Sequence, residues 1–244
     1  MNNRPFPCRA FIAALTALLL IGALSPRASA AGLVDDRPRI AVVSAFEPEW
    51  TVLKSEVQDP TEHMINGRSF ITGKLAGKDV VLFLSGISMV NAAMNTQAAL
   101  DRFSLTAVVF SGIAGGVDPA LHIGDVVIAD RWGQYLEAVF ARETSGGFAI
   151  PPWMEKGDFA GYGMMMPRSV VVTRKDTAPE SRFWFASDPD LLDVARKVAG
   201  KVELAHCLEA SSCLSNKPKI VVGGAGVSGQ AFVDNDKFRE YVSA

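Results

Sequence analysis

Between Leu105 and Asp130 the chain reads LTAVVFSGIAGGVDPALHIGDVVIAD, an order that few folds accommodate. Thr106 to Phe110 is a charge-free β-branched and aromatic run, which predicts a buried strand. It stops at Ser111-Gly112-Ile113-Ala114-Gly115-Gly116, and Ile123-Gly124-Asp125 restarts a second buried strand over Val126 to Ala129. Glycines at a strand end let a ligand approach the main chain, because no Cβ stands in the way. Open α/β sheets place their ligands beyond the carboxyl ends of their strands. A plain strand-end turn has the same composition, so the assignment depends on what other segments bring beside it.

The chain has 244 residues, 49% of them hydrophobic and 20% charged, which fits one globular domain with a sizeable core. A formal charge of −2 gives no basic footprint for nucleic acid. Three cysteines and three histidines (His63, His122, His206), with no CxxC or HExxH spacing, give no pattern for a disulfide scaffold or a metal centre. No cofactor is expected. Residues 1–30 read as a secretory leader: Arg4 and Arg9 are its basic start, and Phe11 to Leu24 is its apolar stretch. Ala28-Ser29-Ala30 is its cleavage signal. The apolar run is short for a membrane span, so the mature chain is expected to be periplasmic or secreted, with no stable membrane insertion. Cys207 and Cys213, left in the mature chain and flanking a short loop, are then expected to form a disulfide.

Other strands end as the first one does. Ile40 to Ala45 is apolar throughout and leads into Phe46-Glu47-Pro48-Glu49-Trp50, where a helix starts near Pro48. Acidic residues at a helix start are also simply stabilising, which is the plain account of Glu47 and Glu49. Phe70 to Leu75 and Asp79 to Ser85 read as a hairpin around Ala76-Gly77-Lys78. The second of these closes at Ser85-Gly86-Ile87-Ser88, before a helix over Met89 to Phe103 with Ala92, Ala93, Ala98 and Ala99 on its packing side. Three small or acidic loops on one sheet edge would form a pocket. Residues 131–215 read as a divergent, loop-rich insertion, apart from an amphipathic helix over Asp188 to Val202. Lys219 to Gly223 is a further buried strand, and Asp234 to Val242 is a helix with Phe238 and Tyr241 inward.

Together, SAFEPEW, SGIS, FSGIAGGVDPALHIGDVVIAD and GVSGQAFVDN resemble the nucleoside phosphorylase superfamily, and within it the 5′-methylthioadenosine/S-adenosylhomocysteine nucleosidases. The resemblance runs from Arg39 to the end and is loosest over 131–215. The leader and the long middle are more similar to secreted members and to plant storage proteins of the superfamily. The resemblance implies an α/β fold, a three-layer α/β/α sandwich around a twisted mixed sheet, within a domain over 31–244. It implies hydrolysis of the N-glycosidic bond of a purine nucleoside. Glu49 falls on the carboxylate that activates water, Gly115 on a substrate-contacting glycine, Phe232 on the aromatic that stacks on the purine, and Val233 on the residue whose main chain reads the purine edge. Ala45, Phe46, Ile87, Ile113, Ala114 and Gly116 complete the expected substrate contacts. A homo-oligomer is possible, because relatives are commonly oligomers.

These residue types suit the chemistry. The bond breaks through an oxocarbenium-like sugar, so a carboxylate beside it stabilises positive charge and takes a proton from water. The first loop carries two carboxylates and SGIS carries no Arg, which disfavours phosphate as the acceptor. Ile113 stands where these nucleosidases commonly carry Ser, and Gln230 where the compact enzymes carry Asp. The family's later Met-Glu pair, which grips the ribose, and its Ser-Asp, which protonates the leaving purine, have no match before Ala244. The fold is therefore expected to be incomplete at the C-terminus, and residues 1–244 by themselves to have low activity. Two alternatives share the scaffold: a purine nucleoside phosphorylase, and a non-catalytic nucleoside-binding or storage-type protein.

Overall fold

The computed structural model describes residues 32–154, 157, 159–209 and 211–244; the leader read over 1–30 lies outside the described residues. The first half of the described chain builds one sheet and two helices: β1 (Arg39–Ser44), α1 (Glu47–Ser55), β2 (Gln58–Ile65), β3 (Arg68–Leu75), β4 (Lys78–Leu84), α2 (Met89–Arg102) and β5 (Leu105–Phe110). The strand order is β2-β3-β4-β1-β5. β4, β1 and β5 are parallel, whereas β2 and β3 join by antiparallel pairing. The sheet is therefore mixed, and the carboxyl ends of three adjacent strands share one edge. The chain leaves β1 and returns to β4 on one side of it and β5 on the other, which opens a crevice at that edge.

Period-two alternation sends the strand side chains to two layers. Ala41, Val43, Phe70, Val81 and Phe83 face one side, where Ala99 and Phe103 of the α2 segment cover them. Val42, Ile71, Val80 and Leu82 face the other, with Trp50 of α1 and Val57. The helix–sheet–helix layering follows from an apolar central strand bordered by two amphipathic helices. Within α2, Ala99 is buried and Ala92 and Ala98 are half-buried, but Ala93 is exposed; buried Asn95 takes a place on the packing side instead.

β2 was not foreseen in the sequence. Its run QDPTEHMI is polar with a proline, yet Asn66-Gly67 behind it is a strong hairpin signal, and both residues take positive φ (51° and 73°). The turn at Ala76-Gly77 repeats this geometry (49° and 76°).

The expectation of two buried strands in the Leu105–Asp130 stretch is corrected. Val108, Val109 and Phe110 of β5 are exposed, because among the described residues β5 is an edge strand paired only with β1. An apolar run of that length does not distinguish an edge from a centre. β6 (Val126–Ile128) pairs in parallel with Ile220–Val222 and keeps Val126 and Val127 exposed, with Ala129 buried beyond it. β7 (Arg131–Gln134) is the middle strand of a three-stranded sheet with Trp184–Ala186 and Ala225–Ser228. Helix α3 (Pro189–Ala199), capped by the Asp188 side chain, buries only Leu192; its other apolar positions are more open than an amphipathic helix predicts. Helix α4 (Asp236–Ser243) turns Phe238 and Tyr241 into an aromatic cluster with Tyr135 and Tyr162. Cys207 and Cys213 face each other across a short antiparallel pair and are joined by a disulfide. Among the described residues, no helix is long and apolar enough to cross a membrane.

Candidate active site

The three parallel strands continue their hydrogen bonding past their own ends. Ser85 N–H donates to Ser44 O (2.8 Å) and Ser111 N–H donates to Val43 O (2.8 Å). The turns after β1, β4 and β5 therefore start side by side. Glu49 bridges two of them. It lies in the first turn of α1, which Pro48 helps to start, and its carboxylate folds back over the turn after β1. Oε2 accepts from Ala45 N–H (2.6 Å) and Phe46 N–H (3.3 Å), and Oε1 accepts from Ile113 N–H (2.8 Å). Three main-chain donors from two loops thus hold one half-buried carboxylate at the sheet edge. Glu47 is exposed and takes no part in this contact.

Gly112 makes the approach possible. A Cβ placed there would stand 2.8 Å from Glu49 Oε1 and 3.1 Å from its carboxyl carbon. The sequence predicts such an approach for a ligand; at Gly112 the group that approaches is the chain's own Glu49 carboxylate. Gly112→Ala is expected to push the carboxylate off Ile113 N–H and to destabilise the protein by about 1–3 kcal/mol, the scale of an overpacked contact. A urea titration of the two proteins checks this; an unchanged midpoint would contradict it.

The expected contacts divide into two groups. Ala45, Phe46 and Ile113 touch Glu49 directly, and Ala114 follows on the same turn. Ile87 lies on the adjacent turn after β4 and is exposed. Gly115 has open space where a side chain would be, and Gly116 has the Leu121 side chain at 3.5 Å. Arg239 of α4 donates Nε–H to Gly116 O (3.1 Å) and Val117 O (3.2 Å), so α4 is fastened to the end of the glycine turn. Phe232 and Val233, just before α4, are 92% and 45% exposed. Among the described residues, no hydrogen bond or ring contact brings the Phe232 ring to Glu49; its segment is held by Tyr135 Oη–H donating to Ala231 O (3.5 Å). Among the described residues there is also no group of three His, Cys, Asp or Glu placed to hold a metal ion.

The turn after β4 carries backbone strain. Ser88, the N-cap of α2, has φ 94° and ψ 150°, a region that L side chains rarely occupy. Its hydroxyl accepts from Asn91 N–H at 3.3 Å, a long capping bond. Ser88→Gly is expected to raise stability by about 1 kcal/mol, since relief of strain exceeds the few tenths lost with the cap. A thermal melt measures it; a lower Tm would contradict the strain.

Residues 39–237 match the phosphorylase superfamily model. The 5′-methylthioadenosine/S-adenosylhomocysteine nucleosidase of Listeria monocytogenes serotype 4b is 42% identical over 189 residues, covering 68% of this chain and 79% of that protein. The nucleosidase of Aeromonas salmonicida is 42% identical over 93 residues, which span 38% of this chain and only 40% of its own length. Among solved structures, the Neisseria meningitidis nucleosidase in complex with methylthio-immucillin-A is similar with a TM-score of 0.57 and 26% identity, covering 84% of this chain and 70% of that one. The chain belongs to the phosphorylase superfamily, with the 5′-methylthioadenosine/S-adenosylhomocysteine nucleosidases as its relatives. Its α/β architecture is that of the nucleoside phosphorylase-like fold.

Proposed function

We propose that this protein is an exported purine nucleosidase that hydrolyses the N-glycosidic bond of methylthioadenosine- or adenosylhomocysteine-like nucleosides. One observation carries the reading. A single carboxylate, Glu49, is held by N–H groups of two strand-end loops at the crevice of a sheet whose relatives are nucleosidases. In this reading Glu49 takes the proton of the attacking water and stabilises charge on the sugar as the bond breaks. Ala45, Phe46, Ile87 and Ile113 to Gly116 line the sugar side. Phe232 covers the base, and Val233 offers its main chain to the purine edge. The exposure of Phe232 fits a ring that acquires its partner with the ligand.

Export rests on the basic, apolar and small-residue pattern of residues 1–30, and the Cys207–Cys213 disulfide suits an oxidising compartment. Fractionation of expressing cells checks it: the mature chain is expected outside the cytoplasm and beginning at Ala31. The function itself is tested with the purified protein. Purine release from 5′-methylthioadenosine in phosphate-free buffer supports hydrolysis. Release that requires phosphate would favour a phosphorylase, and binding without release would favour the non-catalytic reading.

A further inference from the structure

The turn Ser85–Ser88 is held from behind by two asparagines spaced four residues apart on α2. Asn95 is 8% exposed, and its Nδ2–H donates to Ser85 O at 2.7 Å. Asn91, one helical turn earlier, donates Nδ2–H to Ile87 O at 2.7 Å. Between the two anchored carbonyls, Gly86 takes φ 77°, and a Cβ there would meet Asn91 Cβ at 3.1 Å. Ser88 follows at φ 94°. The positive φ of Ser88, a residue with a side chain, does not persist in a short turn without outside support, and the asparagines supply it. A trans peptide is planar, so its N–H points opposite to its C=O. With Ser85 O and Ile87 O aimed at α2, the N–H groups of Gly86 and Ser88 face away from the helix. Neither has an acceptor among the described residues. Asparagine is a weak helix former, and burying its amide on the packing side of α2 costs desolvation unless it is bonded. Leucine or alanine would fill the Asn95 position at lower cost, so packing alone does not account for the residue.

We propose that Asn91 and Asn95 are positioning residues that lock the Ser85–Ser88 turn, and with it Ile87, against the crevice that holds Glu49. The kinetic half of this proposal rests on the nucleosidase reading; the conformational half does not. The experiment uses the full-length protein and the variants Asn95→Ala and Asn91→Ala. Asn91 lies nearer the surface, so its variant keeps the test open if loss of Asn95 prevents folding. Thermolysin, which cuts before apolar residues, reports release of the turn by cleavage at Ile87 or Met89. Turnover of 5′-methylthioadenosine reports its consequence.

Cleavage is expected to quicken about tenfold, the equivalent of one lost hydrogen bond. KM is expected to rise by a similar factor while kcat stays within threefold, because a displaced contact weakens ground and transition states alike. Mere destabilisation would instead lower kcat through a smaller folded fraction and leave KM unchanged. Faster cleavage with a raised KM supports the proposal. Faster cleavage in a protein whose wild type shows no turnover sustains the lock and overturns the nucleosidase reading. Wild-type cleavage rates in both variants, or faster cleavage with unchanged KM, overturn the proposal itself.

Discussion

Replacing Glu49 by Gln in the full-length protein is expected to lower kcat about 1000-fold, within the range that a positioned general base contributes, while nucleoside binding is retained. In the nucleosidase reading the side chain has two roles, and the substitution separates them. As a bridge, its carboxylate accepts from Ala45, Phe46 and Ile113 N–H groups. An amide has one acceptor oxygen, so Gln leaves at least one of those donors facing an NH₂ group. That costs about 1–3 kcal/mol of stability for a buried donor and less for a half-exposed one. As a base, the carboxylate takes a proton from water, which a neutral amide does not do. A purely structural Glu49 would show the melt shift with kcat lowered only in proportion to the folded fraction. The catalytic account requires a kcat loss far larger than any change in that fraction, measured on folded protein with binding intact.

Phe83→Ala is expected to destabilise the domain by about 4 kcal/mol, the scale of a large aromatic removed from a packed core. Phe83 is 1% exposed near the carboxyl end of β4, with its ring 4.9 Å from that of Phe70; Phe70 in turn lies 5.8 Å from Phe103. The three rings join β3, β4 and the end of α2 into one layer. Against a total stability of about 5–15 kcal/mol, such a loss moves the urea midpoint far down or leaves no folded baseline. A midpoint close to wild type would mean that α2 collapses onto the vacancy. The same substitution leaves Glu49 untouched, so any folded fraction should keep its turnover per molecule.

The parts of this fold that could be read in advance are those whose local pattern agrees with their final surroundings. Ile40 to Ala45 is apolar on both faces, and β1 is central with a core on each side. Ala76-Gly77 turns a hairpin whose flanks alternate as the pleat requires. β2 escaped because its side chains are polar on an outer strand, although Asn66-Gly67 announced its turn. β5 has the composition of a buried strand and the position of an edge strand, and composition does not encode strand order. In the region from 131 to 215, short strands pair across long separations, as β7 does with Ala225–Ser228. Nothing local marks such a partner.

The candidate site divides the same way. The residue pattern treats Glu47 and Glu49 alike, and only the family resemblance singles out Glu49; the loops after β1 and β5 do meet on it. That Gly112, rather than Gly115 or Gly116, admits the carboxylate depends on a clearance of a few ångströms. The asparagines at 91 and 95 gave only one signal in the sequence, polar residues four apart on a helix face that should pack. Arg239 gave none, because its partners lie more than a hundred residues away.

In the nucleosidase reading, a carboxylate at the head of α1 directs water onto a sugar-linked purine. Incubating the full-length protein with 5′-methylthioadenosine in isotopically labelled water, without phosphate, tests it most directly. The account predicts free purine and a sugar product carrying one labelled oxygen, both lost in Glu49→Gln. An intact nucleoside after prolonged incubation, or a Glu49→Gln protein as fast as wild type, would contradict it.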